Sequence, residues 1–338
     1  MPRNPYHSGP QTAHFDGLRF FNPDHPPTDR ALREILRWKM KGRATPWTPA
    51  PSRPQAIPEA RVPDLSVTIV GHATALIQIE GLNILTDPVW SERASPFSFA
   101  GPRRACPPGI AFAHLPPIDI VLLSHNHYDH MDMATLRALQ ARDRPLIVTP
   151  LGNDAIVRRA VPDARCQTGD WWDVVALAGG IEITFLPAQH WSARTGRDRR
   201  MALWSGFMVR TGSRLVYFAG DTAYGNGRIF REMRTRMGRP DMALIPIGAY
   251  EPRWFMKAQH ADAREAVQIM EDLEAEQAVG IHWGVFRLTD EGREDPPAML
   301  AASLEARGIA GTRFPAGEPG ASYGMGGVRP NLVLSCTE

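Results

Sequence analysis

The chain has 338 residues, 43% of them hydrophobic and 22% charged, with a formal net charge of +2. A chain of that length can bury an ample core, and its near-balanced charge gives no reason to expect nucleic acid as a partner. Cys106, Cys166 and Cys336 are odd in number and far apart, which excludes a disulfide framework and fits a reducing compartment; with no membrane-length apolar run and no signal-peptide core, a cytoplasmic protein is expected, peripheral membrane contact remaining compatible with it.

Residues 1–64 are rich in proline, as in PSRPQAIPEARVP, and carry one helical pattern, TDRALREILRWKM, in which Thr28 is placed to cap and Leu32, Ile35, Leu36 and Met40 share a face. This segment reads as an arm wrapped on the rest of the chain or a linker, and residues 65–338 as one domain. Strand patterns begin at SVTIV, ATALIQIE and LNILTD, the last two joined through Gly81 as a hairpin. IDIVLLS is continuously apolar, as a strand covered on both faces should be. MATLRALQARD predicts a helix and PLIVTP a strand, which makes a β-α-β step. The Arg-rich stretch RTGRDRR (194–200) reads as a solvated loop. Strands are predicted at IEITFLPA, SGFMVRT, RLVYFAGD and MALIPIG, a helix at HADAREAVQIMEDLEA and a short strand at AVGIHW. The pattern is α+β: two packed sheets with helices outside, and polar motifs where strands end.

The densest motif is SHNHYDH (124–130), directly behind IDIVLL. Alternate residues of an extended chain share a face, so His125 and His127 can aim at one point while Asn126 turns away. Past the turn, Asp129 and His130 can approach a second point. Three further candidates stand at strand ends: His190, Asp221 and His282. A lone histidine reads as a surface or hydrogen-bonded core residue, but seven such groups at strand ends form a pattern. His125, His127 and His190 suffice for one metal ion, Asp129, His130 and His282 for a second, and Asp221 has two carboxylate oxygens with which to bridge them. Imidazole and carboxylate suit zinc, with manganese and iron competing for the same donors.

HNHYDH resembles the HxHxDH signature of the metallo-β-lactamase superfamily, and His190, Asp221 and His282 match its later motifs. The resemblance implies a four-layer αββα sandwich with two metals at one edge of its sheets. Within the superfamily, residues 65 to about 315 resemble the N-acylphosphatidylethanolamine-hydrolysing phospholipases D. The stretches that carry this are GHAT (71–74), LTDPVWSERASP (85–96), GPRR (101–104), LPPIDIVLLSHNHYDH (115–130), DWW (170–172), QHW (189–191), AGDTAY (219–224), PIGAYEPRWFMKAQH (246–260) and IHWG (281–284).

That resemblance implies hydrolysis of a phospholipid or other phosphodiester by a metal-bridging hydroxide. Asp221 and Asp129 then serve catalysis, Tyr128 and His260 contact substrate, and a homodimer is implied. Asp87 is a candidate to hold a ligand histidine by its free ring nitrogen, or else a turn residue before Pro88. His127 stands where di-iron oxidoreductases of the superfamily carry Glu, and Asp221 where many true β-lactamases carry Cys. Residues 222–281 leave no room for an inserted nucleic-acid domain. Trp90, Phe97, Phe99, Trp254 and Phe255 are available either for the core or for an apolar surface near the metals. Two further readings stand beside this one: a metal-dependent lactonase or small-phosphodiester hydrolase, and a metal-stabilised binding protein without turnover.

Overall fold

The computed structural model describes residues 3–42, 44–47, 50, 53–325 and 327–329; Cys336 lies outside them. Two sheets form in near-sequential order. The first takes β1 (Ser66–Gly71), β2 (Thr74–Ile79), β3 (Leu82–Thr86), β4 (Ile120–Leu122), β5 (Leu146–Pro150) and β6 (Arg165–Gly169) as neighbours in that order. The second runs from β7 (Val174–Ala176) through β8 (Glu182–Leu186), β9 (Gly206–Arg210), β10 (Leu215–Phe218) and β11 (Met242–Pro246) to β12 (Gln277–Ile281). The chain then returns to pair β13 (Ser322–Gly324) with β1, and β14 (Gly327–Arg329) with β13. Both sheets are mixed: β3 to β6 and β10 to β12 are parallel, the remaining pairs antiparallel.

The layering follows from the two-residue period of the strands. Val67, Ile69, Ile77 and Leu122 of the first sheet pack with Phe185, Phe207, Phe218 and Leu244 of the second in one core. The alternate residues Val70, Leu76, Val121 and Ile147 face the helices α2 (Met133–Arg142) and α3 (Asn153–Ala160), with α1 (Leu32–Lys41) preceding them in the chain. On the far side Met208, Tyr217, Ala243 and Ile245 pack on α4 (Arg228–Met237), α6 (Ala263–Asp272) and α7 (Asp295–Ala306), the one-turn α5 (Arg253–Met256) lying between α4 and α6. Helix, sheet, sheet, helix: this is the αββα sandwich that the motif implies. Asp262 caps α6 by accepting from the Glu265 amide, while Glu265 accepts in return from Asp262.

The N-terminal segment differs from its sequence reading in two respects. Thr28 does not cap α1; the helix starts at Leu32, and the Glu34 carboxylate accepts from the Ala31 amide. The reason lies just upstream, where Asp29 pairs with Arg199 and Arg200 and the Thr28 carbonyl accepts from Arg199, holding residues 28 and 29 in another path. The shared apolar face of α1 is turned outward, with Leu32 70% and Met40 82% exposed. Trp38, on the other side, is the anchor: its indole donates to Asp290 and its ring lies 4.9 Å from that of Phe255. Farther upstream Phe15 and Phe20 pack with Leu203 and Trp204, and the Asn22 amide donates to the His190 carbonyl.

If Trp38 holds α1, Trp38→Ala should raise amide exchange across residues 32–41 about 100-fold, the equivalent of ~3 kcal/mol for a lost indole anchor. Leu36→Ser should leave it within about twofold, as for an exposed substitution.

Candidate metal centre

Every group of the centre is delivered by the end of a strand. Past β4 the chain stays extended to His127, then turns tightly as the amides of His130 and Met131 both donate to the His127 carbonyl. His190 follows β8, Asp221 follows β10 and His282 follows β12. Gly220 has φ +58, and a Cβ there would lie 2.7 Å from the Ser124 Cβ. Only glycine lets this segment pass Ser124 and bring Asp221 to the edge. Asp87, His72 and His282 also hold left-handed backbone conformations, with φ of 30°, 57° and 62°. Such strain in non-glycine residues persists where the surroundings dictate it.

The seven residues expected from the sequence converge. His125 Nε2 and His190 Nε2 lie 2.8 and 3.2 Å from His127 Nδ1. In the second set, His130 Nε2 and His282 Nε2 lie 3.5 and 3.4 Å from Asp129 Oδ2. Asp221 Oδ2 touches both sets, at 3.6 Å from His190, 3.2 Å from His130 and 3.1 Å from His282. Four ligands at about 2.0–2.1 Å around zinc are separated by about 3.3–3.4 Å along a tetrahedron's edges. Apart from the 2.8 Å contact of His125 with His127, which is at hydrogen-bond distance, the separations lie between 3.1 and 3.6 Å, around that value. His130 Nε2, His282 Nε2 and Asp221 Oδ1 are buried with no hydrogen-bond partner among the described residues, a cost that a bound cation removes. The donor set therefore fits divalent metal ions.

Asp87 directs two of the rings. Its carboxylate accepts from the Ser124 amide at 2.7 Å, the Ser124 hydroxyl at 2.6 Å and His130 Nδ1 at 2.6 Å. The single hydroxyl proton of Ser124 is thus committed, so Ser124 Oγ accepts from His125 Nδ1 at 2.9 Å. His125 must then present a bare Nε2. His190 Nδ1 donates to the Gln259 carbonyl, which bares its Nε2 in the same way.

Electrostatics divide the rings. Burial drives His125, His127 and His260 well below the usual imidazole range and His190 down to about 4, so all four stay neutral. Burial also opposes charge on His130 and His282, but Asp221 and Asp129 outweigh it, lifting His130 well above the usual range and His282 to about 9. Asp129 and Asp221 stay ionised despite burial because those two rings face them, whereas burial raises Asp87. The buried carboxylates require positive charge at this point, which bound metal ions would supply by displacing the Nε2 protons.

Comparison with known proteins agrees with this geometry. A family model described as a β-lactamase superfamily domain matches residues 82–283. The chain belongs to the β-lactamase superfamily. It is 38% identical over 252 residues to an N-acyl-phosphatidylethanolamine-hydrolyzing phospholipase D of Caenorhabditis elegans, covering 72% of this chain and 70% of the relative. It is 36% identical over 284 residues to an uncharacterized protein of Mycobacterium tuberculosis, covering 82% and 75%. An isothiocyanate hydrolase from Delia radicum gut bacteria shares the fold with a TM-score of 0.61 at 20% identity, covering 78% of this chain and all of that one. The protein is a hydrolase of the metallo-β-lactamase superfamily, and its His/Asp clusters can hold metal ions.

Around this superfamily centre the structure separates Tyr128 from His260. His260 joins the cluster, its Nδ1 3.9 Å from Asp221 Oδ2 and without a hydrogen-bond partner among the described residues. Tyr128 lies on the wall of an adjoining cavity of about 410 Å³, with Ser91, Phe97, Met131 and Arg194. Its hydroxyl donates to the Arg194 carbonyl, and the Arg194 guanidinium stacks 3.8 Å above its ring.

RTGRDRR is a loop that is solvated only at residues 195–197. Arg194 donates to the carbonyls of Asn126 and Met131, clamping the metal motif, and Arg199 stacks 3.4 Å above Trp191. Arg194, Arg199 and Arg200 are engaged by contacts distant in sequence, which local charge counting cannot register, while Arg197 is exposed. Of the aromatics, Trp90 donates to the Ile110 carbonyl and Phe255 is buried, so both are structural. Phe97, Phe99 and Trp254 are exposed. Sequence reading missed His72, whose Nε2 lies 2.9 Å from Asp129 Oδ2. Burial holds its ring down at about 3.

Two outcomes follow. Asp87→Asn should weaken metal binding roughly 10–100-fold in chelator competition, because an amide cannot accept from His130 and both Ser124 donors at once. Zinc added to metal-free protein at pH 7.5 should release protons, since His130 and His282 still hold theirs at that pH; no release in a weakly buffered titration would contradict the charge assignment.

Proposed function

We propose that this protein is a binuclear metal-dependent phosphodiesterase that cleaves N-acylphosphatidylethanolamine or a similar glycerophospholipid in the phospholipase D manner, with zinc as the resident metal. The observation that carries the phospholipid reading is the 38% identity over 72% of the chain to a relative named for that activity. Bound to these ligands, divalent ions supply Lewis acidity toward water and a phosphoryl oxygen.

The remaining work falls to side chains. Asp221, in contact with both ligand sets through Oδ2, holds them in one register. Its Oδ1 has no hydrogen-bond partner among the described residues and is suited to take a proton from the attacking water. Asp129 is held ionised by the rings around it and keeps its charge at the second set. His260, neutral and with Nδ1 facing the cluster, is suited to donate to a phosphate oxygen. Tyr128 lines the neighbouring cavity of about 410 Å³, whose walls hold none of the seven metal-set residues, and contact with substrate there is the role proposed for it.

A lipid substrate also requires approach to a membrane surface. No helix among the described residues is long and apolar enough to cross a membrane. The outward face of α1 presents Leu32, Leu36 and Met40 among Arg33, Arg37, Lys39 and Lys41, the composition of a helix that lies in the interface of anionic lipid.

The test is product analysis with purified, zinc-loaded protein on N-acylphosphatidylethanolamine, a lactone and bis-p-nitrophenyl phosphate. Release of phosphatidic acid and N-acylethanolamine is expected, and Asp221→Asn should lower it by a factor of about 10³ or more. Turnover of the lactone alone would overturn the phosphodiester assignment. Near-normal turnover by Asp221→Asn would overturn the role of Asp221.

A further inference from the structure

His72 stands in the turn between β1 and β2, outside the seven converging ligands, yet it touches the second set twice. Its Nε2 lies 2.9 Å from Asp129 Oδ2, and its carbonyl accepts the backbone N–H of His282 at 2.9 Å. Its ring lies 3.9 Å from the His282 ring and meets Phe286 edge-on at 5.2 Å. The side chain is 1% exposed. A turn of the first sheet thus grips one ligand of its own sheet's motif by the side chain and one ligand of the second sheet by the backbone.

Reach distinguishes a donor from a ligand: His130 and His282 each bring Nε2 within 3.5 Å of both Asp129 and Asp221 Oδ2, whereas His72 pairs with Asp129 alone among the described residues. His130 and His282 stand 3.5 and 3.4 Å from Asp129 Oδ2, close to the edge of a tetrahedral zinc shell, about 3.3–3.4 Å. At 2.9 Å, His72 is at ordinary N–H···O hydrogen-bond distance. We propose that His72 is a positioning residue: it donates Nε2–H to the Asp129 carboxylate and, through its left-handed turn, fixes the backbone of His282, so that these two of the second ion's ligands are aimed before the ion binds. Packing alone would leave the hydrogen bond without consequence. This rests on the two-ion reading above.

Two amide variants separate the possibilities. Gln places its NH₂ near the position of Nε2, whereas Asn stops short at the position of Nδ1. The backbone preference runs the other way, because Asn tolerates φ +57 better than Gln does. Zinc affinity is to be measured by chelator competition on wild type, His72→Gln and His72→Asn, with circular dichroism as a check on folding.

For the second zinc equivalent, His72→Gln should stay within about threefold of wild type and His72→Asn should bind roughly 10–100-fold more weakly, the first equivalent being unchanged in both. Second-equivalent binding by the Asn variant equal to or tighter than that of Gln would overturn the proposal and leave His72 as a turn residue. So would a loss shared equally by both equivalents, or an Asn variant that does not fold. The wild-type stoichiometry tests the two-ion reading separately: two equivalents with the wrong Gln–Asn order refute only the role of His72, and a single equivalent refutes both.

Discussion

The centre depends on one buried carboxylate that is not among the converging ligands. Asp87 is fully enclosed, so its oxygens must find donors within the protein. It finds three, the amide and hydroxyl of Ser124 and Nδ1 of His130. Satisfying Asp87 fixes the proton of Ser124, which fixes the tautomer of His125, and it commits the far nitrogen of His130. Ligands of both sets are thereby oriented from behind by a single acid. Asp87 sits at the end of β3, next to β4, which leads into the metal motif. Sheet pairing thus puts the acid within reach of Ser124 and His130.

The sandwich supplies what the motif cannot. Asp129 and His130 come from the first sheet and Asp221 and His282 from the second, so the second set exists only while the two sheets keep their common core of Phe185, Phe207 and Phe218 against Ile77 and Leu122. Asp221 reaches the edge because Gly220 clears Ser124, and His282 is held there by the carbonyl of His72. The N-terminal segment reaches the same loops: Asn22 holds the His190 carbonyl, Arg30 the Phe255 carbonyl and Asp29 the arginines beside Trp191. The edge of the sandwich is braced from three directions before any ion binds.

Much of this was legible in the sequence because the ligands are polar residues directly behind apolar strands, a pattern that needs no tertiary information. The principal strands and α6 were readable for the same reason, their periods being strong. Other features were not. Glu182–Leu186 has a clear apolar pattern, but Arg165–Gly169, largely exposed at a sheet edge, has none to offer. In α4, five of the ten residues are Arg or Glu, and it is held by Phe230 and Met233, too few to mark it. The apolar stripe of α1 was visible, but not that Trp38 would be the buried side. His72 stood in the GHAT stretch that carries the resemblance but with no role assigned to it, and its meaning arises only from the convergence of β1–β2 with the ends of β4 and β12. Arg194 and Arg199 read as solvent-facing charge because their partners, two backbone carbonyls and a tryptophan ring, leave no trace in local composition.

The central claim is that two ions sit side by side on these ligands with Asp221 between them. Anomalous diffraction from crystals of zinc-loaded protein tests it most directly. The account predicts two peaks roughly 3.5–4 Å apart, one against His125, His127 and His190, the other against Asp129, His130 and His282, with Asp221 touching both. A single peak at either set, with Asp221 turned away, would contradict it.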